Sequence, residues 1–147
     1  MSEHPADPAI LEGAPKRSSR HTLGLVALGA FIIVLPIVLL VVFTGSGKVA
    51  QSFADAVHDG RDADARALCE AELGQRVDLA ALAWMHAGPP DLTMGAGGLT
   101  EGFTPYMCHE ARVEPNVAWL VMKKRGGVWR VAEVHPKTQP KMCESSD

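Results

Sequence analysis

Charge is absent from one long stretch of this sequence, and the paired ligand spacings typical of zinc sites are absent from all of it. Residues 23–43 contain no Asp, Glu, Lys or Arg. The three cysteines form no C-x-x-C pair and the six histidines form no H-x-x-x-H pair, so the usual sequence pattern of a zinc site is missing. The net charge is −3, and Lys and Arg are not clustered with aromatic residues, which argues against nucleic acid as a partner.

The uncharged stretch has the length and composition of a transmembrane helix. It begins at Leu23 and ends at Phe43, and at 1.5 Å per residue it spans about 30 Å, the thickness of a bilayer's hydrocarbon core. Its glycines and its one proline, Pro36, are tolerated inside membrane helices. The sequence therefore predicts contact with the lipid bilayer through residues 23–43.

The flanks of this stretch predict its orientation. Lys16, Arg17 and Arg20 precede it, and basic residues beside a membrane helix are retained in the cytoplasm. We therefore expect a single-pass protein of the cell membrane, with its N-terminus cytoplasmic and its C-terminal domain extracytoplasmic. The small residues 44–46 leave a cleaved signal peptide as an alternative, but signal-peptide apolar regions run only about 7–15 residues, so an uncleaved signal anchor is favoured.

Composition divides the rest of the chain. Residues 1–22 are rich in Pro and Ser and are expected to be a disordered cytoplasmic tail. Residues 44–47 are expected to be a flexible linker, residues 48–136 an exported domain, and residues 137–147 a disordered C-terminal tail.

Three helices are predicted in the first half of the domain. Apolar residues recur four apart in residues 48–59, and Gly60 is a suitable stop. A second helix is expected to begin after Asp62 or Asp64 and to end before Gly74, and a third is expected after Asp78, a plausible N-cap.

The second half of the domain predicts strands. Residues 117–122 and 128–134 read as a hairpin around a Gly-Gly turn, and a weaker strand is expected over residues 107–113. Residues 88–102 are rich in Gly and Pro and show no period. Helices first and antiparallel strands last predict an α+β domain, with two or three helices packed on an antiparallel sheet.

The two ends of the domain resemble the small exported NTF2-like (cystatin-like) domains of bacterial membrane-anchored proteins. The likeness rests on the opening helix pattern VAQSFADAVHDGRDADARALC and on the closing "Gly, any residue, Trp, any residue, Val" signature at residues 127–131. That signature is structural rather than catalytic. The resemblance implies helices on an antiparallel sheet, and some members of such families are accessory or scaffold proteins of envelope transport and secretion complexes.

Large aromatic side chains are predicted to form a core or to line a cavity: Phe53, Trp84, Trp119 and Trp129. His86, Cys108 and His109 are candidates for a metal site. Cys108 and His109 are adjacent, however, and adjacent residues on a strand point to opposite faces. We therefore predict no metal site, no cofactor and no catalytic residue.

An exported domain predicts a disulfide between Cys69 and Cys108, because cysteines in an oxidising compartment tend to be paired. Cys143 is expected to remain free or to pair between chains. The alternative, with Cys69 as a small buried apolar residue and Cys108 as an ordinary strand residue, stays open because pairing cannot be read from sequence.

Two functions follow from these observations. The leading one is a non-enzymatic interaction or small-ligand-binding module at the membrane face, with an envelope protein or a second copy of the chain as partner. The other is an enzyme on the same fold, an isomerase or a hydrolase, which would need a buried acid-base carboxylate and an oxyanion donor in one pocket. Tyr106 is the one tyrosine that could serve as such a donor.

Overall fold

The structure is a computed structural model that describes residues 19–144, with side chains described from Gly29 onward. Lys16 and Arg17 lie outside the described residues, and so does most of the predicted tail. Arg20 falls in the first turn of a helix, but its side chain is not among those described. The described chain divides into two units, one ending at Ile37 and the other beginning at Val38.

The first helix, α1, is the apolar one and runs over Ser19–Phe43, starting four residues before the uncharged stretch. Its large apolar side chains from Phe31 to Val41 are exposed, whereas Phe43 packs against the domain. Among the described residues one helical stretch is long and apolar enough to cross a membrane. It covers Gly29–His58, and its apolar part is α1. A signal sequence near the N-terminus meets the same criteria, so length and composition alone are compatible with either.

Helix α2, Ser46–His58, matches the predicted first helix of the domain within two residues. One face of it is buried, and Phe53 on that face is fully inaccessible. Gly60 ends the helix in the left-handed conformation, with φ +70°. The Gly60 N–H donates to Val57 O (3.1 Å) and the Arg61 N–H to Ala56 O (2.7 Å), which is the hydrogen-bond pair of a Schellman cap.

The predicted second helix is broken into two short ones, α3 (Asp62–Ala67) and α4 (Ala71–Arg76). Between them the backbone pairs with a distant strand: Glu70 N–H donates to Val131 O at 2.8 Å, and Val131 N–H donates to Leu68 O at 3.0 Å. A strand contact more than sixty positions away therefore ends α3, and no local sequence pattern could have indicated it.

A 3-10 helix, Ala80–Ala87, takes the place of the predicted third helix. Asp78 Oδ1 accepts a hydrogen bond from the Ala81 N–H at 3.3 Å, close to its predicted capping role. The residues that this segment buries recur every third position, as a helix with three residues per turn requires: Leu79, Leu82 and Met85.

Four antiparallel strands form one sheet in the order β1-β2-β3-β4. They are β1 (Asp91–Leu99), β2 (Pro105–Val113), β3 (Asn116–Arg125) and β4 (Val128–Pro136). The predicted hairpin of β3 and β4 and the predicted strand β2 are confirmed. Short helices with an antiparallel sheet make the fold α+β, as expected.

Strand β1 lies in the stretch where the sequence showed no period. Its glycines make room for aromatic rings from neighbouring strands. A Cβ at Gly95 would lie 3.1 Å from Cζ3 of Trp119, and a Cβ at Gly98 would lie 3.1 Å from Cε1 of Tyr106. The glycines that allow β1 to fit are also the reason that the sequence did not predict a strand here, because glycine usually indicates a turn.

The two faces of the sheet carry two separate clusters. The helices cover one face, and the main core lies between them, built from buried residues that include Phe53, Leu82, Met85, Leu120, Met122, Trp129 and Val131. A smaller cluster comprises Cys108, Val121 and Cys143, with Tyr106, Trp119 and Met142 packed against it. Strand alternation places this cluster on the opposite face of the sheet.

The C-terminal segment is held against the sheet, which differs from the expected disordered tail. A 3-10 turn, Lys141–Cys143, brings Cys143 to Cys108, and the two form a disulfide. The predicted Cys69–Cys108 bridge is therefore wrong, and so is the expectation that Cys143 stays free or pairs between chains. Cys69 is a buried free thiol in the main core, and the sheet separates it from Cys108.

Candidate functional site at the end of the apolar helix

The last turn of α1 is bound by a lysine from the sheet. Lys124 Nζ donates hydrogen bonds to Val41 O (3.1 Å) and Val42 O (3.0 Å). The last four carbonyl groups of a helix have no partner within the helix, and the helix dipole gives them partial negative charge. A cation at this position donates to the unpaired carbonyl groups and compensates their partial negative charge. Such contacts contribute about 0.3–1 kcal/mol at exposed sites.

Trp129 binds the next turn of the chain. Its Nε1–H donates to Thr44 O at 2.8 Å, while 5 % of its surface is exposed. Gly45 turns the chain with φ +94°, and a Cβ there would lie 3.5 Å from Cδ1 of Trp129. The ammonium of Lys124 lies 5.8 Å from the centre of the Trp129 ring, within cation–π distance. We call Lys124 and Trp129 together the helix clamp.

The clamp changes the interpretation of residues 44–47, which were expected to be a flexible linker. Thr44 and Gly45 form a turn, and α2 begins directly at Ser46. Ser46 is 2 % exposed, and its Oγ lies 3.1 Å from Nε2 of His109, which is 3 % exposed. The segment is thus fixed by two tertiary hydrogen bonds, one on each side of Gly45.

The Ser46–His109 pair resembles half of a nucleophile–base arrangement, but its surroundings do not suit catalysis. Both side chains are buried, which leaves Ser46 and His109 almost no exposed surface. Burial lowers the pKa of His109, because the charged imidazolium would lose its hydration. Within the described part of the chain, no carboxylate is hydrogen-bonded to this histidine. The pair therefore fixes the start of α2 against β2.

An apolar cleft of about 330 Å³ opens beside the clamp. Side chains from the end of α1 and from β1 and β2 line it, together with the backbone of residues 44–47: Leu40, Phe43, Met94 and Met107. Met94 is 67 % exposed. The cleft is therefore an apolar surface continuous with the end of α1.

A second cleft, of about 480 Å³, is charged and open to solvent. It lies beside the start of α4 and the β3–β4 hairpin, and it is lined by Glu70, Ala71, Glu72, Lys123, Arg125, Val128 and Arg130. Arg125 Nε lies 3.0 Å from Glu70 Oε1, and Lys123 Nζ lies 2.9 Å from Glu133 Oε1. Carboxylates and cations alternate across this surface, which suits a partner that carries both signs of charge.

Glu133 beside this cleft is ionised by its neighbours. Burial alone would raise the pKa of Glu133, but hydrogen bonds from Lys123 and His135, with their charges, outweigh it and lower the pKa. The carboxylate therefore acts as a fixed counter-ion for Lys123. A general acid would need the opposite shift.

The residues singled out in the sequence are dispersed over the domain. Phe53 and Trp129 are buried in the main core, whereas Trp84 is half-buried at its edge. Trp119 is half-buried on the other face of the sheet, against the disulfide. These four aromatics do not line a common cavity.

The three cysteines and His109 are all buried. Burial raises the pKa of Cys69 to about 11, so this thiol is protonated at neutral pH. Cys108 is consumed by the disulfide and His109 faces Ser46. Among the described residues no group of three or more His, Cys, Asp or Glu side chains is placed to hold a metal ion.

Comparison of the chain with protein-family models, with curated proteins and with solved structures found no match. The class that the structure itself defines is an α+β domain directly connected to a long, exposed apolar helix. Lys124, the central residue of the clamp, was not singled out in the sequence, because an isolated lysine before a Gly-Gly turn reads as a polar turn residue.

Proposed function

We propose that this chain is a single-pass membrane protein whose domain is a non-enzymatic interaction or small-ligand-binding module on the extracytoplasmic side. The helix clamp carries this proposal. Lys124 and Trp129 bind the end of a helix that is long and apolar enough to cross a bilayer. A domain attached in this way stays at the membrane face, because only the turn of Thr44 and Gly45 separates α1 from α2.

The clamp also supports an uncleaved anchor. Cleavage among residues 44–46 would remove the carbonyl groups that Lys124 and Trp129 bind, and Trp129 Nε1–H would lose its partner. A buried donor without a partner costs about 1–3 kcal/mol. A domain shaped for release would not depend on the peptide that is removed.

Two features support the extracytoplasmic location of the domain. The basic residues Lys16, Arg17 and Arg20 precede the apolar helix, as they do on the cytoplasmic side of membrane helices. The Cys108–Cys143 disulfide suits an oxidising compartment, because cytoplasmic thiols are kept reduced.

The charged cleft is the surface that we propose for binding. Its lining carries Glu72, Arg125 and Arg130 at an open position, where a small ligand or a peptide with both signs of charge can pair with them. The groups with catalytic potential, Ser46 and Cys69, are buried. The resemblance of residues 127–131 to the NTF2-like signature favours an accessory role in an envelope complex, with an envelope protein or a second copy as partner.

Protease accessibility tests the topology. A protease added outside spheroplasts is expected to digest the domain and to spare an epitope placed on the N-terminal tail. Loss of the tail epitope with an intact domain would contradict the proposed orientation. Release of an intact domain into the medium without protease would contradict the uncleaved anchor.

Site-specific photo-crosslinking in intact membranes tests the binding surface. A photoreactive amino acid at Glu72, in the first turn of α4 and on the charged cleft, is compared with one at Asp62, in the first turn of α3. Both sites are exposed and acidic, so they form a matched pair. We expect a crosslinked product at Glu72 that weakens with Arg125→Glu and is absent at Asp62. Equal products at both sites, or none at Glu72, would contradict binding in this cleft.

A further inference from the structure

The loops at one end of the sheet expose large apolar side chains. Beyond α1, the large apolar residues that are exposed in the described part of the chain are Met94, Leu99, Phe103 and Val128. Phe103 is the most exposed of them, at 82 %, and lies in the loop between β1 and β2. Its φ of +54° is in the left-handed region, where non-glycine residues are uncommon and where backbone strain often marks a functional site.

The strand register brings the two loops to the same end of the sheet. Leu99 pairs with Pro105, Tyr106 pairs with Lys123, and Arg125 pairs with Val128. The β1–β2 loop and the β3–β4 turn are therefore neighbours at this end of the sheet. We call these two segments, residues 99–104 and 125–128, the hairpin tips.

The end of α1 lies at this same end of the sheet. Lys124, adjacent to the second tip, donates to Val41 O and Val42 O, and Trp129 on the other side of the turn donates to Thr44 O. The apolar cleft of Leu40, Phe43 and Met94 continues the surface from the end of α1 toward β1. A chain that crosses a bilayer through α1 would leave it next to these tips, because α1 ends at Phe43.

We propose that the hairpin tips lie in the headgroup layer of the membrane that α1 crosses, with Phe103 as the main apolar contact. Phe and Leu side chains of amphipathic segments at a membrane surface bury into the boundary between headgroups and acyl chains. The occupant of the apolar tips is then the bilayer surface itself, because Lys124 and Trp129, which flank the second tip, hold the end of α1 beside it. Arg125, the one cation of the two tips, is already paired with Glu70, so the proposed contact does not depend on anionic lipid. This inference rests on the proposed membrane anchoring.

Lipid quenching of a fluorescent dye tests the contact in the full chain reconstituted in phosphatidylcholine vesicles. Cys69→Ala leaves one introduced cysteine as the free thiol, while the Cys108–Cys143 disulfide stays oxidised. The dye is placed at Leu35 within α1, at Phe103 in the first tip, or at Glu114, between β2 and β3 at the other end of the sheet. Spin-labelled lipids quench it from the headgroup or from the middle of the acyl chain.

We expect mid-chain quenching at Leu35, headgroup quenching at Phe103 and no quenching at Glu114. Quenching at Leu35 with a Phe103 signal as low as that of Glu114 would overturn the tip contact and leave the anchoring intact. No quenching at Leu35 would overturn both. Dye emission at Phe103 that is blue-shifted without lipid quenching would mean that the dye contacts protein and not lipid. This result would also overturn the proposal.

A second pair of samples tests the native Phe103. The dye is placed at Val128, in the second tip, with Phe103 intact or replaced by Phe103→Ser. We expect headgroup quenching at Val128 to lose most of its intensity in the Phe103→Ser variant, because the apolar contact of the neighbouring tip is gone. Unchanged quenching would overturn the role of Phe103, and an exposed loop residue should not affect folding.

Discussion

Breaking the Cys108–Cys143 disulfide should lower the free energy of unfolding of the domain by about 4 kcal/mol. The two cysteines are 35 positions apart, and the chain-entropy relation gives that value for a loop of this length. Few other contacts hold the C-terminal segment: Tyr106 Oη–H donates to Met142 O at 3.2 Å, and Gln139 Nε2 donates to Cys143 O at 2.8 Å. The disulfide should therefore dominate the stability of this segment.

Denaturant unfolding of the full chain in detergent micelles measures the effect. Tryptophan fluorescence reports on the domain alone, because all three tryptophans lie in it: Trp84, Trp119 and Trp129. The double variant Cys108→Ala with Cys143→Ala should unfold at much lower denaturant than the unmodified chain. A reductant should shift the unmodified chain toward the double variant and leave the double variant unchanged.

Cys69→Ala is the matched control. It removes a buried sulfur without touching the bridge, so it should cost about 1 kcal/mol, as other small core deletions do. Three alkylatable thiols in unreduced protein from the envelope, or a cross-linked peptide that contains Cys69, would refute the pairing. A double variant within about 1 kcal/mol of the unmodified chain would refute the magnitude.

Three further predictions concern the core, the clamp and the buried histidine. Phe53→Ala should cost about 3–5 kcal/mol because Phe53 is fully buried, whereas Phe103→Ala should change stability in micelles by less than about 0.5 kcal/mol. Trp129→Phe should cost about 1 kcal/mol, since it keeps most of the packing and removes the hydrogen bond to Thr44 O. The free energy of unfolding should fall as the pH drops below about 6.5, because burial lowers the pKa of His109 and the unfolded chain then binds more protons; His109→Gln should flatten that dependence.

Each of these three has a result that would contradict it. Equal losses for the two phenylalanine variants in denaturant titrations would mean that the burial of Phe53 is wrong. A Trp129→Phe variant as stable as the unmodified chain would mean that the bond to Thr44 contributes nothing. Unfolding curves of His109→Gln that keep the full pH dependence above about pH 5 would assign that dependence to other groups.

Elements with a clear local period were predictable from the sequence. Helix α2 combines apolar residues four apart with a glycine at its end, and both signals act within one turn of the chain. The β3–β4 hairpin is specified by alternation and by its Gly126-Gly127 turn, in which both glycines have positive φ. Local sequence was therefore sufficient to indicate these elements.

Features that depend on distant contacts were not predictable. The break between α3 and α4 depends on Val131, and the fit of β1 depends on the rings of Tyr106 and Trp119. Cys108 lies on a strand as expected, but Cys69 lies between α3 and α4, in a bridge to Val131, and the sheet separates the two cysteines. Pairing needs the face of each residue as well as its element, and single-sequence periodicity gives the face only where the strand phase is known.

The candidate site also shows why a structural signature can conceal a second role. Trp129, the tryptophan of the Gly-x-Trp-x-Val signature, fills the main core with its ring and binds Thr44 O with its Nε1. One side chain thus connects the folding of the sheet to the position at which the apolar helix ends. A change that loosens the β3–β4 hairpin should therefore loosen the attachment of the helix as well. The end of the apolar helix and the domain are therefore coupled through the β3–β4 hairpin.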